Sequence, residues 1–429
     1  MRRDKTASVI VSGSTDALVR LRSWGLLCLT LFFFAQMSDA LTAAAQLSYW
    51  SAVLLGIVTF LRAPCAILRL FNWRPLTACL GMLLLVLAAA WLVNPGWWSN
   101  NLTEFRKDHL RLFLLFPLAF WVCRDYQDVR RLLLAAVAGF TLRALLVLGF
   151  YLSDWAVLES YRKGFALDAI YCFSAGLLLF LLDRGLSRRS RILLGAALAV
   201  QVVPLLLHGS RSPLLVILLA VGLAVVAARR WRLLLTGALA LLIVLTGLVF
   251  SRPQLLLRYE TVLQGETYTQ DFSVVERQGI WWVTLQLVER QPWLGYGPGW
   301  RKLSPLALES GLMDEAKQHP DRVRQLAYGY FAGRATYGKA NPHNLYLNWL
   351  LEAGFLGLFA YLGLIASMFR ASWHARLQPG GQMWWLLALG LVTCQLASGI
   401  TNGLWPAGWL LILVAGALAR KENETTYPS

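Results

Sequence analysis

His343 lies in Ala340-Asn341-Pro342-His343-Asn344-Leu345-Tyr346-Leu347-Asn348, where a long polar segment gives way to an apolar run. Asn341 suits a helix N-cap, and Pro342 suits the first helical position, whose N–H would be an orphan anyway. That reading puts His343 in the first turn, beside free backbone N–H groups and the positive end of the helix dipole. A histidine so placed stays neutral and is competent as a base or donor near pH 7, while the N–H groups favour an anion. An interfacial histidine making ordinary hydrogen bonds is the equal alternative.

Two arginines extend the pattern. In His208-Gly209-Ser210-Arg211-Ser212-Pro213 the chain enters another apolar run, with Ser212 as the expected N-cap and Pro213 in the first turn. Arg211 is then either a snorkelling anchor or a charge added to an anion-favouring helix end. His208 either joins that site or caps the helix. Arg277 follows Ser273-Val274-Val275-Glu276, which has capping-box spacing. Arg277, Trp281, Thr284, Leu285 and Val288 share one helical face. This predicts a helix lying on a membrane surface, from which a guanidinium grips a lipid phosphate bidentately; a solvated amphipathic face is the alternative.

Arg143 and Asp168 fall inside apolar runs, where ionisable groups are costly and either line a functional cavity or pair with each other. His109, His319 and His374 read as exposed polar positions. There is no HExxH, no close His/Cys/Asp set and no Asp-x-Asp pair, so no metal site is evident. Walker A and GxSxG patterns are also missing. Gly295, Gly297 and Gly299 lack the strand and phosphate helix of a nucleotide loop and read as a tight turn at a membrane edge.

The elements that must position these residues are membrane helices. Of 429 residues, 57% are hydrophobic and 15% charged, with 19 tryptophans and a mean hydropathy of +0.54. The fold class is an all-α polytopic membrane protein. A net charge of +17 raises nucleic acid as a partner, but no basic cluster interleaves with aromatics and most arginines flank apolar runs. The six cysteines lie in or beside apolar segments without CxxC spacing and read as small core hydrophobes. Asn101-Leu102-Thr103 and Asn423-Glu424-Thr425 fit a glycosylation pattern that arises readily by chance.

Hydropathy predicts about twelve transmembrane helices of ~20 residues. The expected bounds are 23–38, 41–61, 75–93, 110–123, 130–151, 166–183, 191–207, 213–228, 232–250, 344–368, 382–400 and 404–419. The fourth and seventh are short or interrupted by Pro117 and Pro204. Arginines gather before the first span and after every even-numbered one, as at Arg62, Arg124, Arg188, Arg229, Arg370 and Arg420. By the positive-inside rule both termini are cytoplasmic. The opposite connections hold few cations: Arg106, Lys107, Arg162, Lys163 and Arg211. The polar lead before the first span favours an anchor helix over a signal peptide cleaved near Ser38-Asp39-Ala40. Residues 252–342 form one non-cytoplasmic segment of roughly ninety residues, far beyond an ordinary connection. It separates spans 1–9 (1–251) from spans 10–12 and the tail (343–429).

Three motifs occur in order on that face. They are Ser273-x3-Arg277-x3-Trp281, Pro292-x2-Gly295-x-Gly297-x-Gly299, and His343-Asn344-x2-Leu347-x2-Leu350-x-Glu352-x-Gly354-x2-Gly357. With the preceding Ser210-Arg211-Ser212 turn and the single long loop, the stretch from about 205 to 360 resembles the O-antigen ligase/polymerase superfamily, and its O-antigen ligases most closely. The first 200 residues match only as hydrophobic spans.

The resemblance implies a GT-C-like, metal-independent glycosyltransferase of the bacterial inner membrane that uses no cofactor and has a periplasm-facing site. Its donor would be O-antigen on undecaprenyl pyrophosphate, and its acceptor a sugar hydroxyl of lipid A–core. Membrane lipids are the other expected partners; nucleic acid is not one. The family's essential histidine falls on His343 and its two essential arginines on Arg211 and Arg277. Asn344, Ser210 and Trp281 flank these in the motifs, and Arg143 and Asp168 complete the candidate set.

Elementary chemistry agrees. Pyrophosphate leaves readily once its growing charge is stabilised, and without a metal two arginines and helix N-termini are the available substitutes. The acceptor hydroxyl needs a general base, for which a neutral histidine is suited. A single displacement inverts the anomeric carbon. The rivals are an O-antigen polymerase, disfavoured by the single large loop, a protein O-oligosaccharyltransferase, and a non-catalytic lipid-linked glycan transporter, which Arg143 and Asp168 would serve.

Overall fold

The computed structural model describes residues 5–64, 74–153, 156–208, 211–233, 235–237, 272–334, 336–377 and 381–401. Long runs of leucine, alanine and valine become helices because only an intra-segment ladder satisfies the backbone within hydrocarbon. The first are α1 (Lys5–Ser38), α2 (Thr42–Arg62), α3 (Arg74–Leu92), the short α4 (Trp98–Glu104) with a π-helical turn at Phe105–His109, α5 (Leu110–Val122) and α6 (Tyr126–Ser153). Then follow α7 (Phe165–Leu182), α8 (Arg188–His208) and α9 (Arg211–Ala227). After a polar stretch come α10 (Phe272–Arg290), α11 (Leu303–Glu309), α12 (Leu312–Gln318) and α13 (Arg322–Ala332). The last two described helices are α14 (Leu345–Ala375) and α15 (Gly381–Gly399).

Every expected span except the ninth and twelfth coincides with a helix; those two fall mostly or wholly outside the described residues. Seven described helices are long and apolar enough to cross a membrane, and Ser212–Ala227 is a shorter apolar one. The chain is a multi-pass membrane protein. Pro117 and Pro204, expected as interruptions, lie inside continuous helices, which the packed neighbours of a membrane bundle allow.

One apolar core runs through the bundle from Leu29 to Cys394. Helices α1 and α2 form an antiparallel pair, and α1 also packs on α6, while α6, α7, α8, α9 and α15 interlock and α3 lies along α14. At one end of the bundle, arginines bind polar partners instead of standing free in solvent. Arg22 reaches Asp128 and the Val122 carbonyl (2.8 Å), Arg130 pairs with Asp183 (2.8 Å), and Arg230 caps the Leu181 carbonyl (2.6 Å) at the end of α7.

A second, smaller core lies in the polar stretch, where Ile280, Val283 and Leu287 of α10 meet Leu303, Leu312, Ala327 and Phe331. This corrects the expectation of a helix lying on lipid. One face of α10 packs on α13, with Gly279 tight against Ala327, and its Trp281/Val288 side packs on Leu347 and Leu350 of α14. Leu285 is exposed, so the buried stripe is rotated from the face read in the sequence. The helix also begins at Phe272, ahead of Ser273, so Ser273 is not its cap.

The two bodies are joined at a break in α14. Gly354 has φ 63° and ψ −163°, which opens the helical ladder there. The turn at 292–297 fills the opening: Tyr296 and Gly297 N–H donate to the Leu351 and Glu352 carbonyls (2.8 and 2.9 Å), and Phe355 N–H donates to the Pro292 carbonyl (2.7 Å). A side chain at Gly354 would drive its Cβ to 2.3 Å from the Trp293 carbonyl carbon. Glycine is therefore required both for the φ and for the approach.

Candidate active site

The turn before α14 differs from its sequence reading. Asn344, not Asn341, is the N-cap: its Oδ1 accepts from the Tyr346 and Leu347 N–H groups at 3.0 and 3.1 Å. Asn341 instead accepts the His343 N–H at 2.7 Å, an Asx turn that places His343 one residue outside the helix. The histidine is held at φ 51°, a left-handed conformation that costs a non-glycine residue about 1–3 kcal/mol. What holds it there is visible. The Trp281 indole N–H donates to the Pro342 carbonyl at 2.8 Å, and Asn344 Nδ2 donates to the Ile400 carbonyl at 3.2 Å.

Trp281 and Arg277 are one turn apart on α10, so the contact that fixes the His343 turn also brings Arg277 to it. The His343 pKa is lowered, first by desolvation and then by the positive charge of Arg277. The imidazole is thus kept neutral. Arg277 is half-buried and makes no ion pair or hydrogen bond among the described residues, leaving its guanidinium available for an anion.

Arg211 is the first residue of α9, two positions before the expected start at Pro213. Helices α9 and α15 cross near Ala220 and Gly390, where a Cβ on Gly390 would stand 3.6 Å from the Ala220 carbonyl. Counting nine residues along each in opposite chain directions brings Arg211 to the same end as Gly399, which touches Tyr346 of α14. The backbone of Arg211 therefore lies at the bundle end that carries Asn344. The Arg211 side chain and Ser210 lie outside the described residues.

Arg143 and Asp168 take the second of their two readings: they pair with each other at 2.6 Å. Arg143 also meets Asp39 (3.3 Å) and donates to the Tyr161 (2.9 Å) and Lys163 carbonyls. Every nitrogen of this buried guanidinium is committed to clamping the α7–α6 connection to the end of α1.

Several functional-looking residues were missed or misread. His109, expected to be exposed, is 3% exposed; it bonds Glu352 Oε2 at 2.7 Å and packs against the Trp349 ring. Lys302 is fully buried, and its ammonium donates to Asn101 Oδ1 and to the Tyr296 (2.9 Å) and Gly297 (2.7 Å) carbonyls. Burial pushes its pKa down to about 7, against the opposing charges of Glu352 and Glu104. Arg301 pairs with Glu104 and Asp108 (2.6 Å). These pairs are some 190 to 240 residues apart in sequence, and nothing local signals them. A clue was available in Asn101, Glu104, Asp108 and His109, which all fall on one short connection beside membrane spans. The burial of Asn101 also disposes of its glycosylation triplet.

The arrangement brings Arg277, which has no partner among the described residues, to the His343 turn, with the backbone of Arg211 at the same end of the bundle. That set can accept a proton and bind an anion. A family model described as O-antigen ligase matches residues 196–362, which include Arg211, Arg277, Trp281 and His343. An O-antigen ligase of Pseudomonas aeruginosa strain PAO1 is 29% identical over 199 residues, 46% of this chain. The match spans 38% of that relative's length. Over residues 196–362 the chain is therefore similar to the O-antigen ligase family.

Proposed function

We propose that this chain is an O-antigen ligase of the bacterial inner membrane, which transfers O-antigen polysaccharide from undecaprenyl pyrophosphate to a sugar hydroxyl of lipid A–core. The observation that carries this reading is the Trp281–Pro342 hydrogen bond, which joins the helix of Arg277 to the turn of His343. In the reaction, His343 takes the proton of the acceptor hydroxyl as its oxygen attacks the anomeric carbon. The bond from that carbon to the pyrophosphate breaks on the opposite face, inverting the centre. Arg277 and Arg211 receive the departing negative charge, a role for which bidentate guanidinium groups are suited. Asn344 and Trp281 hold the turn, and Ser210 precedes Arg211 at the helix start.

The architecture that goes with this reading is GT-C-like. It has about twelve spans, both termini in the cytoplasm, and the 252–342 segment in the periplasm between residues 1–251 and 343–429. The chemistry is metal-independent. The pairing of Arg143 with Asp168 and Asp39 favours a structural role for them over the polar pathway of a glycan transporter.

Purified protein in proteoliposomes, offered lipid-linked O-antigen, tests the acceptor. The reading predicts product on lipid A–core, unchanged by a chelator. Extension of the lipid-linked glycan or labelling of a peptide instead would move the assignment to a polymerase or a protein O-oligosaccharyltransferase. Inhibition by EDTA that divalent ion reverses would contradict the metal-free mechanism.

A further inference from the structure

The lipid-facing side of α3 carries a groove of about 300 Å³ lined by Leu84, Leu85, Leu87, Ala88, Trp91 and Phe105. Leu85 is 72% exposed, so the groove opens outward from the bundle. One polar feature lines this apolar slot and a second follows its last lining residue in the chain. The Trp91 indole N–H is shielded yet has no acceptor among the described residues, an arrangement that costs about 1–3 kcal/mol unless an acceptor is supplied. Phe105 begins the π-helical turn, and the next two residues, Arg106 and Lys107, are exposed and make no ion pair among the described residues. They are two of the few cations in the short connections opposite the basic ones. An apolar slot, an orphan N–H donor and two uncommitted cations ask for a lipid with three parts: a chain, a carbonyl near its head group, and a phosphate.

We propose that this groove, with Trp91, Arg106 and Lys107, holds an acyl chain, its carbonyl and a phosphate of the acceptor glycolipid, at a place separate from the donor pyrophosphate. The proposal rests on the ligase reading above. Two considerations select the acceptor over the donor. A polyprenyl pyrophosphate has no carbonyl for Trp91, whereas an acylated glucosamine lipid has several. The groove also stands apart from the base. His109, in the same π-helical turn, meets α14 at Glu352, eight residues beyond the cap Asn344, or about 12 Å of helix. A donor must place its pyrophosphate at the reacting carbon. An acceptor whose lipid anchor and reacting sugar are separated by an oligosaccharide can bind the groove and still reach His343.

The test is lipid retention by the full-length chain in native mass spectrometry, with lipid A, phosphatidylglycerol and undecaprenyl phosphate as separate probes. The site predicts at least a tenfold loss of lipid A retention in Arg106→Gln/Lys107→Gln, and a severalfold loss in Trp91→Phe, which keeps the ring and removes the donor. Ala88→Trp, which fills the groove from an exposed position, should also displace lipid A. Undecaprenyl phosphate retention should be unchanged in all of them. Unchanged lipid A retention in the double variant overturns the proposal. So does phosphatidylglycerol competing as well as lipid A, which would make the groove an ordinary lipid contact. Parallel loss of undecaprenyl phosphate would assign the groove to the donor and overturn it too. A wild type that retains lipid A in this pattern yet transfers no glycan would sink the ligase reading while upholding the lipid site.

Discussion

The Trp281 indole donates to the carbonyl of Pro342 at 2.8 Å, and that carbonyl belongs to the peptide leading into His343. One hydrogen bond therefore couples the helix that carries Arg277 to the turn that carries the histidine. Because His343 sits at φ 51°, its orientation depends on contacts that hold an unfavoured backbone state.

Trp281→Phe should leave the packing against Leu347 and Leu350 largely intact while removing the donor. The expected stability loss is about 1 kcal/mol. The turnover rate should fall about tenfold with donor KM nearly unchanged, since geometry at the base is lost and binding is not. Steady-state kinetics in proteoliposomes check this, and a wild-type turnover rate would show that the turn holds without the indole.

His343 has its pKa lowered by desolvation and by Arg277, so the neutral base persists below pH 6.5. The acid limb of kcat/KM should then fall below that pH in the wild type. In Arg277→Gln one lowering influence is gone, and the limb should move to higher pH; in Arg277→Lys it should stay low although the rate drops. A limb at the same pH in all three proteins would separate Arg277 from the histidine.

Lys302→Met leaves Asn101 Oδ1 and the Tyr296 and Gly297 carbonyls without their donor, at a cost of about 3 kcal/mol. Lys302 also carries a pH signature. Its pKa of about 7 lies below the ordinary 10.5, so the unfolded chain binds more protons between those values. Its contribution therefore makes stability rise with pH across that window. Thermal unfolding in detergent should show a rise in the wild type that Lys302→Met lacks. Equal midpoints and equal slopes would contradict the network.

Much of this architecture was legible in local sequence. Apolar runs near bilayer length located the helices, and the arginines that end them located one face, because both signals are short-range. A helix start near His343 was legible, but Asn341 and Asn344 compete for the cap, and His343 falls just outside the helix. The structure gives the cap to Asn344, whose Oδ1 accepts the Tyr346 and Leu347 N–H groups. The buried stripe of α10 was misread because both its faces are covered, one by α13 and the other by α14, and a single amphipathic face cannot describe that. His109–Glu352 and Lys302–Asn101 were out of reach for a different reason: each pair joins segments about two hundred residues apart, through a helix broken at Gly354.

The most direct measurement is glycan transfer in proteoliposomes containing purified protein, lipid-linked O-antigen and lipid A–core, with wild type beside His343→Ala. His343 belongs to none of the apolar cores, so the variant should unfold at nearly the wild-type temperature. The account predicts product with the wild type and none above background with the variant. Transfer by His343→Ala at more than about a hundredth of the wild-type rate would contradict a general-base histidine.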